Sequence, residues 1–146
     1  MSIEEEFIDF RVIPVNEEYM YVGHVVISQT DLNGNITYVN RMFCNVSGYR
    51  VNELHGRPHS IIRHPDMPKA AFEKMWDTIK SGQAWNGLII NLRKDGLYYW
   101  VDTEILPLKD SSDNVTGYIT AGKPASRKNI EESKTTYAKM LDIEKS

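Results

Sequence analysis

Along the chain the spacing of apolar residues changes period several times, and each change marks an element. Ile3, Phe7 and Phe10 recur at helical spacing and Pro14 ends the stripe, so residues 1–20 read as a leader containing a short helix. From Tyr21 the chain turns β-branched, "YVGHVVISQT", and "ITYVN" follows after "DLNGN". An Asn-Gly pair tolerates the positive φ angles of a two-residue turn, so Asn33-Gly34 predicts a β-hairpin over 21–40. Between Arg41 and Pro65 the pattern gives short helices and loops, punctuated by Gly48, Gly56 and Pro58. Met67, Ala71, Phe72, Met75, Trp76 and Ile79 then share one face of a helix over 67–80. Pro68 sits near its start, where a missing N–H costs nothing, and Gly82 stops it. Strands at about 85–94, 97–108 and 114–123 follow, joined at Asp95-Gly96 and at "DSSDN". From Ala125 onward the pattern is helical and charged, with Ile130, Tyr137 and Leu141 close to a heptad stripe.

This order predicts an α+β domain in three parts: a leader over 1–20, a sheet-and-helix domain over 21–123, and a C-terminal helix over 124–146. Period-two geometry puts Ile89 and Asn91 on one face of their strand and Leu88, Ile90 and Leu92 on the other. An amide on an apolar strand face needs a partner. The second, apolar row needs a cover, expected from the leader, a second subunit, or both; a homodimer is the expected assembly.

Composition narrows the function classes. The chain has 146 residues, 41% of them apolar, enough for one core. Its net charge of −3 carries no Lys/Arg run, which argues against nucleic acid. One cysteine, Cys44, allows no intrachain disulfide. The acidic start is not a signal peptide and no apolar run approaches a membrane span, so the expected location is the cytoplasm without direct membrane insertion. No G-x-S-x-G elbow, phosphate-cradling glycine loop or H-E-x-x-H pair suggests an enzyme. His55, His59 and His64 lie close in sequence, but Pro58 breaks the helical spacing a metal site would need, and no metal is expected.

The candidate chemistry concentrates in "RHPDMPKAAFEKMW", residues 63–76. Two readings stand side by side. In one, Asp66 caps the following helix while Arg63 and His64 are solvated loop residues. In the other, the arginine fork and the free N–H groups of the helix start meet an anionic or carbonyl-bearing ligand.

The stretch from "ITYVNRMFCNVSGY" through "ELHGRPHSIIRHPDMPKAAF" to "WNGLIINLRKDGLYYWV" resembles the sensory PAS domain of bacterial aerotaxis and energy-taxis receptors. The resemblance implies a five-stranded antiparallel sheet with helices on one face, enclosing a ligand pocket. It further implies non-covalent FAD, with FMN or haem as alternatives, and a chemoreceptor or other signalling domain as partner. A cofactor-free dimerisation module is the remaining alternative. By resemblance Arg63, His64 and Asp66 hold the flavin, Trp76 and Trp85 lie near it, and Asn91 points to its ring edge. His59 stands where light-oxygen-voltage domains carry a photoreactive cysteine; it and His64 are the candidate axial ligands if the cofactor is haem. Reduction changes flavin N5 from acceptor to donor, and the Asn91 amide, having both, is expected to turn and follow it.

Overall fold

The computed structural model describes residues 12–146, and the leader stripe of Ile3, Phe7 and Phe10 lies outside them. Five runs of β-forming sequence pair into one antiparallel sheet: β1 (Val26–Asp31), β2 (Ile36–Val39), β3 (Trp85–Leu92), β4 (Tyr98–Lys109) and β5 (Val115–Pro124), in the order β2-β1-β5-β4-β3. Between β2 and β3 lie α1 (Arg41–Ser47), α2 (Val51–Leu54), a 3-10 turn over His59–Ile62, and α3 (Lys69–Lys80); α4 (Arg127–Lys145) ends the chain.

Turn chemistry departs from the sequence reading at the first hairpin. β1 begins at Val26 rather than near Tyr21, and of the Asn33-Gly34 pair only Gly34 takes a positive φ, 83°. The Asp31 carboxylate decides this. Its Oδ1 accepts the N–H groups of Asn33 and Asn35, each at 2.9 Å, and so closes a longer loop than a two-residue turn. The Asp95-Gly96 turn does form where expected, with Gly96 at φ 94°. A side chain there would put Cβ 2.7 Å from the Ile13 carbonyl oxygen, because the chain entering the domain runs alongside. Val15 donates to the Gly96 carbonyl at 2.8 Å and Tyr19 to that of Tyr98 at 2.7 Å.

On the inner face of the sheet, α1 is held by local caps and α3 is not. Asn40 accepts from Phe43 N–H at the start of α1, and Gly48 ends that helix in the left-handed region. Asp66 does not cap α3. Pro68 is its N-cap residue and offers no side-chain acceptor, while the Asp66 N–H donates to His64 Nδ1 at 3.0 Å.

Among the described residues the outer row carrying Leu88 and Ile90 is packed by the C-terminal helix α4, and Pro14, Val15 and Asn16 of the leader border the same groove. α4 crosses the outer face of β3 and β4. Its Tyr137 ring stacks on Trp100 with centroids 6.1 Å apart and planes 17° from parallel, and its hydroxyl donates to the Leu88 carbonyl at 2.5 Å. Ile130 is buried beneath the same helix, and Arg127 pairs with Glu18 at 2.6 Å. Ser126 caps the helix by accepting from Asn129 N–H. Replacing Ile130 with Ala is therefore expected to lower stability by about 2–4 kcal/mol in urea unfolding. Removing residues 126–146 bares Leu88, Ile90 and Trp100 and should produce self-association in sedimentation velocity; a monodisperse, equally stable truncated protein would show that α4 covers nothing of consequence.

Candidate functional site

Between the inner face of the sheet and α3 the structure leaves a cavity of about 1060 Å³. Alternation along the strands explains why it is not filled. At the inward register β1 carries Ser28 and Thr30, β4 carries Thr103, and β3 carries Asn91, where a packed core would place Val or Ile. The opposite wall is aromatic, with Phe43 from α1 and Phe72 and Trp76 from α3, and Tyr118 of β5 lines the space from the sheet. Trp76 meets Tyr118 edge to face, 5.8 Å between centroids.

Ser28 and Thr103 on this floor have partners. Ser28 Oγ lies 3.0 Å from His59 Nε2, and the Thr103 hydroxyl donates to the Val101 carbonyl at 3.2 Å. Asn91 stands directly opposite Tyr99 across the β3–β4 ladder, and its side chain favours the ionised Tyr99 hydroxyl. Burial raises the Tyr99 hydroxyl well above its ordinary range, with Arg93 opposing. His59, edge-on to Phe43 at 5.9 Å, keeps some accessible surface as a cavity wall, yet protein surrounds it densely enough that burial pushes its imidazole down to about 4.

Of the residues singled out in the sequence, His59, Arg63, Trp76 and Asn91 come together around this cavity. The Arg63 guanidinium lies over the Phe72 ring at 4.1 Å, and the Arg63 backbone bridges to that of Asn91. His64, Asp66 and Trp85 do not line it. Arg63 has extended backbone, so its neighbour His64 points to the other side. His64 and Asp66 border a second groove of about 590 Å³, under Tyr98, Trp100 and Tyr137. His64 is buried there, edge to face with Tyr98 at 6.0 Å, while Asp66 is largely in solvent. The Trp85 ring folds across Gly87, whose Cβ would sit 2.5 Å from its Cη2, and packs on the core beside β3.

Ser28 and Tyr99 are among the cavity residues that escaped the sequence reading. Both carried a signal. Ser28 interrupts "VVISQT" at an inward position, and counting back across the Asp95-Gly96 turn places Tyr99 opposite Asn91.

Comparison with known proteins follows the same lines. A family model described as "PAS fold" matches residues 36–121. The aerotaxis receptor of Escherichia coli K12 is 42% identical over 112 residues, 77% of this chain and 22% of the receptor. The nitrogen fixation regulatory protein of Klebsiella pneumoniae is 34% identical over 95 residues, 65% of this chain and 19% of that protein. This chain thus spans about a fifth of the length of these curated relatives. Among solved structures, a light-oxygen-voltage domain studied with a flavin analogue superimposes with a TM-score of 0.67 at 25% identity, covering 79% of this chain and 86% of that one.

The depressed His59 value has a measurable consequence. The unfolded chain takes up this proton at the ordinary histidine value of about 6.5 and the folded chain only near 4, so stability present above about pH 6.5 is lost as pH falls towards 4. The loss amounts to about 3 kcal/mol at most. Urea unfolding across this window should show the decline in the wild type and a flatter profile in His59→Gln; equal slopes would remove His59 as its source.

Proposed function

The chain belongs to the PAS-fold family, and on that premise we propose that its cavity binds a flavin and that the domain passes the flavin's redox state to a signalling partner. The observation that carries this reading is the pairing of aromatic side chains with a polar floor around about 1060 Å³. That volume lies at the upper end of small-molecule sites, which run to roughly 1,000 Å³. Phe72 and Trp76 offer flat apolar surface to a ring system, and Asn91 offers both a donor and an acceptor to its edge. Arg63, always charged, and Lys69 also line the cavity and offer cations to a phosphate-bearing tail. The size of the space and these cations favour FAD over FMN.

The relatives support the same class. One is named an aerotaxis receptor and one matched structure is a domain studied with a flavin analogue. Haem is less well served, because His59 Nε2 is engaged with Ser28 and His64 borders the other groove. Among the described residues no cysteine lines the cavity, so a thiol adduct of the light-oxygen-voltage kind has no donor. The reading is of a sensory module rather than an enzyme, with a chemotaxis-type signalling domain as its partner, acting in the cytoplasm as a homodimer. Among the described residues no helix is long and apolar enough to cross a membrane.

A bound flavin would supply a reversible redox centre whose ring edge changes from hydrogen-bond acceptor to donor on reduction. Asn91 cannot answer that change alone. It stands opposite Tyr99 in the ladder and its backbone bridges to Arg63, so turning the amide bears on Tyr99 of β4 and on the loop before α3 together. The exchange concerns one or two buried hydrogen bonds, each costing about 1–3 kcal/mol if left unmatched.

Reconstitution with FAD and FMN, read by the flavin absorption bands, tests the binding. Arg63→Ala should weaken it roughly 10- to 100-fold through a lost charge-assisted contact. Asn91→Leu should keep the flavin but erase any redox-dependent difference in hydrogen exchange over 85–109. A Soret band would replace this reading with haem, and a protein that takes up neither flavin would leave a cofactor-free module.

A further inference from the structure

α3 opens without a cap of its own, since Pro68 brings no side-chain acceptor. The N–H groups of Lys69 and Ala70 are nevertheless satisfied. They donate to the two carboxylate oxygens of Glu144, at 3.2 and 3.0 Å, from the last turn of α4. A carboxylate at this end also meets the positive pole of the helix dipole. The bond from Ala70 N–H, with that from Lys69 and the nearby charges of Lys69 and Arg63, holds the Glu144 carboxyl below the usual carboxylate range. Both cations line the cavity, and α3 presents Phe72 and Trp76 to it.

The same helix is fixed to the other wall. The Tyr137 hydroxyl binds the carbonyl of Leu88 on β3, and the next residues along that strand, Ile89 and Asn91, face the cavity. α4 therefore holds β3 through Tyr137 and α3 through Glu144, one on each side of the space. Ile130 and Tyr137, by docking the helix, keep the Glu144 carboxylate at a high effective concentration beside α3, as a free anion in water would not be.

We propose that Glu144 is a positioning residue for the cavity: by capping α3 from α4 it sets the Phe72–Trp76 wall, and it makes the docking of the last turn of α4 and the filling of the cavity depend on each other. An uncapped first turn leaves its N–H groups unsatisfied and frays. A ligand packed against Phe72 orders that turn and presents its N–H groups to Glu144; Glu144, once seated, orders the turn for the ligand. Linkage requires the two effects to be equal in size. This inference rests on the flavin reading for its probe, and the experiment separates the two.

The affinity for FAD and the hydrogen exchange of residues 139–146, with and without FAD, are measured in wild type, Glu144→Ala, Glu144→Gln and, as a control on the same helix, Glu132→Ala. FAD should slow exchange of the wild-type tail about fivefold, and Glu144→Ala should weaken FAD binding by the same factor while abolishing that protection. Glu144→Gln, which retains one acceptor oxygen, should fall between, and it substitutes for the alanine variant if that one is poorly folded. Glu132→Ala should match wild type. A cap that only stabilised a helix would lower the thermal midpoint without any ligand-dependent change in the tail. Wild-type tail exchange indifferent to bound FAD, or wild-type affinity in both Glu144 variants, overturns the proposal. Failure of the wild type to bind FAD or FMN overturns the flavin reading, and this proposal with it.

Discussion

The register of β3 against β4 is the constraint from which most of the structure follows. Asn91 faces Tyr99 and Ile90 faces Trp100, so the two adjacent rows commit the sheet to two different tasks. The Asn91–Tyr99 row gives the cavity its polar floor, and the Ile90–Trp100 row gives α4 its seat. A slip of β3 by one residue would turn the amide towards α4 and bring Ile90 to the cavity side. The turn that fixes the register is itself tightly determined. Asp95 is held by Arg93 and accepts from Leu97 N–H, and Gly96 leaves room for the entering chain.

Much of this was legible in the sequence because it depended on periodicity. Strand alternation separated Ile89 and Asn91 from Leu88, Ile90 and Leu92, and the helical stripe at Phe72, Met75, Trp76 and Ile79 is the face that lines the cavity. What was not legible depended on which of several acceptors a backbone N–H would find. Asp31 took over the first hairpin from Asn33-Gly34, and Glu144, distant in sequence, took the place at α3 that one of the two readings gave to Asp66. Local propensity identifies that a cap is needed but cannot rank a remote carboxylate against a near one. The need for a cover on the outer row was legible from strand alternation, whereas the part α4 plays in it was not.

The "RHPD" run shows the limit of reading a motif as one unit. Its extended backbone sends Arg63 to the cavity and His64 to the groove beneath α4. Neighbouring substitutions there should therefore disturb different things, ligand contacts for Arg63 and the seat of α4 for His64. A loss of cofactor in both would not show that both touch it.

Among the described residues, the indole N–H of Trp100 is the buried side-chain polar atom without a hydrogen-bond partner. Water is kept from it by the same packing that stacks Tyr137 over the ring, and leaving such a donor dry costs about 1–3 kcal/mol. Hydration of that atom is thus a standing incentive to lift α4, opposed by the stacking and by the Tyr137 hydroxyl. It also makes Trp100 a native optical gauge: its fluorescence should shift to the red when water reaches the indole, so the position of α4 is readable in an unlabelled protein.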